Sequence, residues 1–315
     1  MEMVPYIVAY LATGVFSIAV VARIVMWSRM PMHLRWELYP VAHEAKKAHY
    51  GGSYLEESEW WKKPREASLW GELKVMIPEI FFLVALKEHN PRLWIRSFPF
   101  HFGLYLVIGS ILLMAGTGIL VAVWPAVLAG GLGMILHYAI LILGVAGLTL
   151  GFLGALGLLH RRLTDPDLRD FTAAADIFNL IFFVVAFGFG LATFILVDRN
   201  FSIAPFFVQN LVTFNMQPMT VSGIETTLPS VTVILMSLLV AYIPLTHMSH
   251  FIGKYFAYHA IRWNDKPNLP GGTEDATIGR LLKQPVSWAA PHIKGDGKRT
   301  WAEVAMELPT EEPKK

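Results

Sequence analysis

No cysteine occurs in the 315 residues. Disulfides, thiolate zinc sites and cysteine-held iron–sulfur clusters within this chain are therefore excluded, as is a c-type haem attached through C-x-x-C-H. Any redox group the chain carries must be held by His, Met or carboxylates. Charge is also scarce. Only 16% of residues are charged while 54% are hydrophobic, a balance too apolar for an ordinary soluble protein of this length. There is no internal repeat, no pair of broken apolar helices and no charge at mid-membrane depth, which counts against a small-molecule transporter. The first apolar stretch lacks a basic leader and a small-residue cleavage site, so it is expected to stay as a span. The net charge of +2 says little about partners, and no nucleic-acid partner is expected.

What the chain has in quantity is apolar length. Five runs reach the roughly 20 residues needed to cross about 30 Å of hydrocarbon. They are Pro5–Trp27, Phe98–Val123, Gly131–Leu159, Thr172–Val197 and Pro229–Phe251. The expected fold is an all-α membrane protein of five transmembrane helices. A sixth run, Val75–Leu86, is too short to cross and contains Pro78 and Glu79, so it reads as an interfacial or re-entrant segment. Basic residues set the orientation. The link Ser28–Ser97 carries eleven Lys or Arg, and the link after the third span adds Arg161, Arg162 and Arg169. "WPAVLAGG" after the second span has none, and the link after the fourth has only Arg199. The N-terminus is therefore expected outside and the C-terminus in the cytoplasm of a bacterial or archaeal cell.

The third span carries Gly144, Gly147, Gly151, Gly154 and Gly157. Small residues let helices approach closely in lipid, and plain packing is their expected role. The expected divisions are a first span over 1–27, a basic insert over 28–97, a four-helix membrane domain over 98–260 and a polar tail over 261–315. The tail, with "NDKPNLPGGTED" and "ELPTEEPKK", is too polar to build much of a core. It is expected either to be disordered or to lie along a partner protein, and Trp288 and Trp301 favour the second.

Eleven histidines sort by depth. His33, His43, His49, His89, His160, His259 and His292 fall in links, in the tail or at a span edge, where a solvated or interfacial role is expected. His101, His137, His247 and His250 lie within spans, where an ionisable group is costly and defaults to a functional hypothesis. His101 precedes Trp124, at the outer end of its span, by about 23 residues, or about 35 Å of helix rise. His250 follows Pro229 by about 21 residues, or about 32 Å. The two imidazoles are thus expected at one level on different helices, near the cytoplasmic edge, as a bis-histidine haem iron requires. His247 lies one turn nearer the outside on nearly the same face. It could replace His250 as the ligand, or it could reach a haem propionate. Simple interfacial histidines are the alternative, and a zinc site would want more ligands.

Three stretches carry a resemblance. "FPFHFGLYL" (Phe98–Leu106), "GLLHRRLTDPDLRDFTAAADIF" (Gly157–Phe178) and "IPLTHMSHFIGKYF" (Ile243–Phe256) resemble the gamma-subunit family of respiratory nitrate reductases. They look closer still to its relatives in heterodisulfide-reductase-like complexes of sulfate reducers and related anaerobes. The insert from "MHLRWELYPVAHE" onward is similar to that second branch alone. The resemblance implies five spans and a b-type haem held by histidines of the second and fifth spans, at positions matched by His101 and, six residues after Pro244, by His250. It implies a basic residue at His247, which suits a propionate contact. The nitrate reductase branch has a second haem whose further ligands would fall at Ile111 and Thr232. Neither binds iron, so a second haem of that type is not expected.

Near the outer face lies His137, close to where the resemblance implies a lysine at a quinol site. Three roles stand open for His137: a quinol contact, a packed polar residue, or ligand to an unusual second haem opposite Met236 or Met114. The resemblance as a whole implies a haem b subunit that moves electrons between membrane menaquinone or menaquinol and a cytoplasmic iron–sulfur subunit. That makes the chain one part of a quinol-linked oxidoreductase. A haem-free membrane anchor or assembly subunit of a redox complex is the alternative.

Overall fold

A computed structural model describes residues 3–30, 37, 40–44, 46–64, 67–219, 227–289, 293 and 295–307. The chain divides into two units, one comprising 1–21 with 73–249 and the other 22–72 with 250–315. Eleven α-helices form among the described residues. They are α1 (Val4–Ser28), α2 (Leu69–Phe82), α3 (Val84–His89), α4 (Pro91–Val123), α5 (Gly131–Thr164), α6 (Ala174–Leu196), α7 (Ile203–Val212), α8 (Thr227–Tyr242), α9 (His250–Phe256), α10 (Thr273–Leu282) and α11 (Trp301–Ala305). No strand forms among the described residues; an isolated bridge pairs Pro285 with Thr300. Five segments are long and apolar enough to cross a membrane: α1, α4, α5, α6 and Thr227–Leu245. The expected all-α membrane architecture of five spans is present.

In the first unit, packing starts from glycine. A Cβ on Gly103 of α4 would lie 2.3 Å from the backbone nitrogen of Gly151, and one on Gly154 of α5 would lie 2.4 Å from that of Phe100. Only hydrogen at both sites lets the two backbones come this close, so the glycine row on α5 serves packing, as expected. Phe183 and Phe187 of α6 fill the other side of α5, where the Phe187 ring sits 2.4 Å from the Cβ position of Gly151. These rings form one core with Phe100, Val107, Leu148 and Leu239. A second cluster joins the N-terminal half of α1 to α7. There Tyr6 stacks on Phe207 at 4.5 Å between ring centroids, and the Tyr10 hydroxyl donates to the Leu211 carbonyl at 2.8 Å.

Three boundaries differ from the sequence expectation. α4 begins at Pro91, seven residues before the apolar run, because Asn90 caps it by accepting from the Leu93 N–H at 3.1 Å and Pro91 has no N–H to satisfy. The short run expected over Val75–Leu86 is two helices, α2 and α3, broken at Leu83, whose φ of 51° lies in the left-handed region. The fifth span is shorter than Pro229–Phe251. α8 ends at Tyr242, and 3-10 turns occupy Ile243–Leu245 and His247–Ser249 before α9 starts at His250. Pro244 cannot donate a helical hydrogen bond, and Thr246 is extended at φ −111° and ψ −176°. A constant rise of 1.5 Å per residue therefore does not hold across this stretch, and neither does the depth it gave for His247 and His250.

The second unit corrects the expectation that the polar tail builds little core. Trp263 and Val286 are almost fully buried, and Trp288 meets Trp301 edge to face at 6.0 Å. Trp263 donates through Nε1 to Glu37 at 2.6 Å, and Arg262 pairs with the same carboxylate.

Candidate functional site

His101 sits on the second turn of the apolar part of α4 and is partly buried. Its Nδ1 lies 2.8 Å from the Ser97 carbonyl oxygen and 3.2 Å from Ser97 Oγ. A carbonyl only accepts, so the close contact fixes the proton on Nδ1 and the lone pair on Nε2. That is the tautomer a metal-ligating histidine adopts when a backbone carbonyl orients it. The residues therefore fit an axial ligand at this position. The same end of the first unit holds a polar row between α6 and α8. The Tyr242 hydroxyl donates to Asn179 Oδ1 at 2.8 Å, while Asn179 Nδ2 is buried with no hydrogen-bond partner. One turn away on α6, Asp176 Oδ1 lies 3.9 Å from His247 Nε2, with the His247 side chain 63% exposed. His250 opens α9 and belongs to the second unit. Among the described residues no three His, Asp or Glu side chains converge on a point that would hold a metal ion.

At the other end of the first unit, His137 lines a cavity of about 630 Å³ with Thr117, Met114, Met134, Tyr138 and Gln209. The Thr117 hydroxyl is buried there without a hydrogen-bond partner. Met134 and Tyr138, three residues before and one after His137, both line it. Ile111, Thr232, Met114 and Met236 line a separate cavity of about 280 Å³ deeper in the same unit. His137 does not line that cavity, so it and Met236 face different spaces.

Reading by depth missed a polar cluster in the second unit. His43, expected to be solvated, is 4% exposed, and its Nε2 lies 2.7 Å from Asp265 Oδ2. Glu72 stands 3.9 Å from its other ring nitrogen. His259 lines the same cavity of about 490 Å³, with Trp60, Trp61 and Trp263. Burial is the main influence on His259 and holds its pKa below the ordinary histidine value; nearby Glu72 acts against this, and His43 adds to it. No local sequence signal marks His43, because its burial depends on a carboxylate 222 residues away. His33 and His292 lie outside the described residues.

These features define a multi-pass α-helical membrane protein with an oriented imidazole toward one end of its bundle and a histidine-lined cavity toward the other. The model of the nitrate reductase gamma subunit matches residues 86–264, more than half of the chain. The chain belongs to that family, whose members are haem b membrane subunits that transfer electrons in quinol-linked complexes. Searches of curated proteins and of solved structures return no match.

Proposed function

We propose that the chain carries electrons between menaquinol at the His137 end, facing outward, and an iron–sulfur subunit of a heterodisulfide-reductase-like complex at the cytoplasmic His101 end. One haem b, when bound, supplies the single-electron carrier. His101 and His250 are its axial ligands in this reading. The observation that carries it is the Ser97 carbonyl against His101 Nδ1, which orients the ring and presents Nε2. The motif "IPLTHMSHFIGKYF" supports His250 as the second ligand. His247 would contact a propionate of the haem, and Asp176 Oδ1 lies 3.9 Å from its Nε2.

His137 receives a proton from the quinol. A neutral imidazole has a lone pair that can take up the proton. The partnerless Thr117 hydroxyl in the same cavity offers a hydrogen bond to a quinol oxygen. The eleven basic residues of Ser28–Ser97 favour the cytoplasmic side for the link between the first two spans. On this reading the insert and the tail contact the soluble partner.

Reduction kinetics test the reading. Purified chain in lipid nanodiscs is mixed with menaquinol, and haem reduction is followed in the visible spectrum. We expect reduction by menaquinol in the native chain, at least tenfold slower reduction in His137→Ala, and unchanged reduction by dithionite in both. Equal menaquinol rates would leave His137 a structural residue. A chain with no b-type spectrum would be a haem-free anchor.

A further inference from the structure

The cavity of about 280 Å³ in the first unit has no role in the reading above. Six helices line it, namely α1, α4, α5, α6, α7 and α8, and it is partly open to the outside of the bundle. Its size sits at the small end of ligand pockets, which start at roughly 300 Å³. Its walls are almost wholly apolar, and Asp198 is its one ionisable lining residue. That carboxylate is already engaged: its oxygens accept from the Ser202 and Ile203 N–H groups, each at 2.7 Å, and from the Ser202 hydroxyl at 2.9 Å. The cavity therefore selects against charged molecules.

Its hydroxyl groups narrow the ligand further. Ser110 donates to the Ile140 carbonyl at 3.0 Å, and Thr13 donates to the Ala9 carbonyl at 2.8 Å. Thr232 donates to the Phe189 carbonyl at 3.1 Å, which makes Thr193 the donor in the 2.7 Å contact between the two threonines. With these protons committed, the four oxygens offer lone pairs. A ligand that donates O–H groups satisfies them, while Ser237, a fifth hydroxyl on the cavity wall, can donate to a ligand oxygen.

Position gives the third constraint. On α4 the cavity spans Val107 to Met114. Ile111 is ten residues beyond His101, or about 15 Å of helix rise, whereas Thr117 in the His137 cavity is sixteen residues beyond, or about 24 Å. Met114 lines both cavities.

We propose that this inner cavity is a second, deeper binding position for the reduced ring of the quinol, with the His137 cavity as the vestibule in which the ring first binds and meets His137 and Thr117. The proposal rests on the quinol-linked reading and adds where the ring sits. An uncharged bicyclic ring with two hydroxyls matches the apolar walls and the acceptor set. The site brings the ring closer to the His101 level than the vestibule does.

Photolabelling tests it. A 1,4-naphthoquinol carrying a diazirine is added to the full chain with its haem, in nanodiscs, with and without excess unlabelled menaquinol. Labelled peptides are mapped by mass spectrometry, and haem per chain is counted. We expect competed labelling on α4 within 107–114 and on α8 within 232–240. Ala204→Phe and Val233→Phe, which fill the cavity from α7 and α8, should each cut labelling and quinol-driven haem reduction at least tenfold without changing haem content. Ile108→Phe, on an exposed part of α4, should change neither. Labelling confined to 131–140 while menaquinol still reduces the haem would overturn the inner site and leave the quinol-linked reading intact. Labelling that menaquinol does not compete would show a lipid chain in the cavity, and two haems per chain would show a second haem there; either overturns the proposal. If menaquinol fails to reduce the haem at all, the quinol-linked reading falls, and the inner site falls with it.

Discussion

Histidine chemistry in this chain is decided by what each ring touches. His101 is oriented by a carbonyl one turn back in its own helix, a local arrangement that survives wherever α4 is helical. Ser97→Ala should keep the haem because the carbonyl remains, and a midpoint potential equal to the native value would confirm that Ser97 Oγ is dispensable. His247 faces Asp176, so His247→Ala should retain haem while shifting its midpoint potential in a redox titration. Loss of haem in His247→Ala with retention in His250→Ala would reverse the two assignments. His259 responds to pH in a defined direction. Its folded pKa lies below the unfolded value of about 6.5, so the unfolded chain binds more protons in the window between them. The stability of the second unit is therefore complete above about pH 6.5 and falls as pH drops through the folded pKa. Limited proteolysis of the tail should accelerate below that pH, and His259→Gln should flatten the dependence.

Elements in this protein owe their positions to backbone-level contacts, and these are where a substitution tells most. Gly154→Val would push a branched side chain into the Phe100 backbone, for a cost of about 1–3 kcal/mol or more if α4 and α5 cannot part. The expected outcome is lower yield and a lower melting temperature, measured by thermal unfolding in detergent. Asp198 holds the N-terminus of α7 through three hydrogen bonds, so Asp198→Ala should cost about 2 kcal/mol. The same thermal assay should register it, with faster cleavage between α6 and α7. Sequence pattern revealed the elements whose signal is local and long: five spans, the glycine row, and His101 and His137 within spans; His247 and His250, expected in the fifth span, lie past its end at Leu245. It missed α7, whose ten residues are too few to cross, and it read through Pro244, where a break in helix competes with a strong apolar signal. It also missed the burial of His43 and Trp263, because neither residue carries in its own neighbourhood any mark of the distant carboxylate it meets.

The whole molecule joins a membrane unit to a smaller unit built from the end of α1, most of the insert and the tail. Basic charge and folded tail together suit a partner-binding role for that smaller unit. Removing the tail from Gly271 onward should release the iron–sulfur partner in a pull-down while the haem stays bound. An unchanged complex would show that residues 271–315 do not contribute to docking. The central claim is that one haem b is held by His101 and His250, and haem content tests it most directly. Haem per chain is measured by pyridine haemochrome, with a reduced-minus-oxidised spectrum, for the native chain and for His101→Ala, His250→Ala and His137→Ala. One b-type haem in the native chain and in His137→Ala, with none in the other two, is the predicted result; full haem retention in His101→Ala would contradict the account.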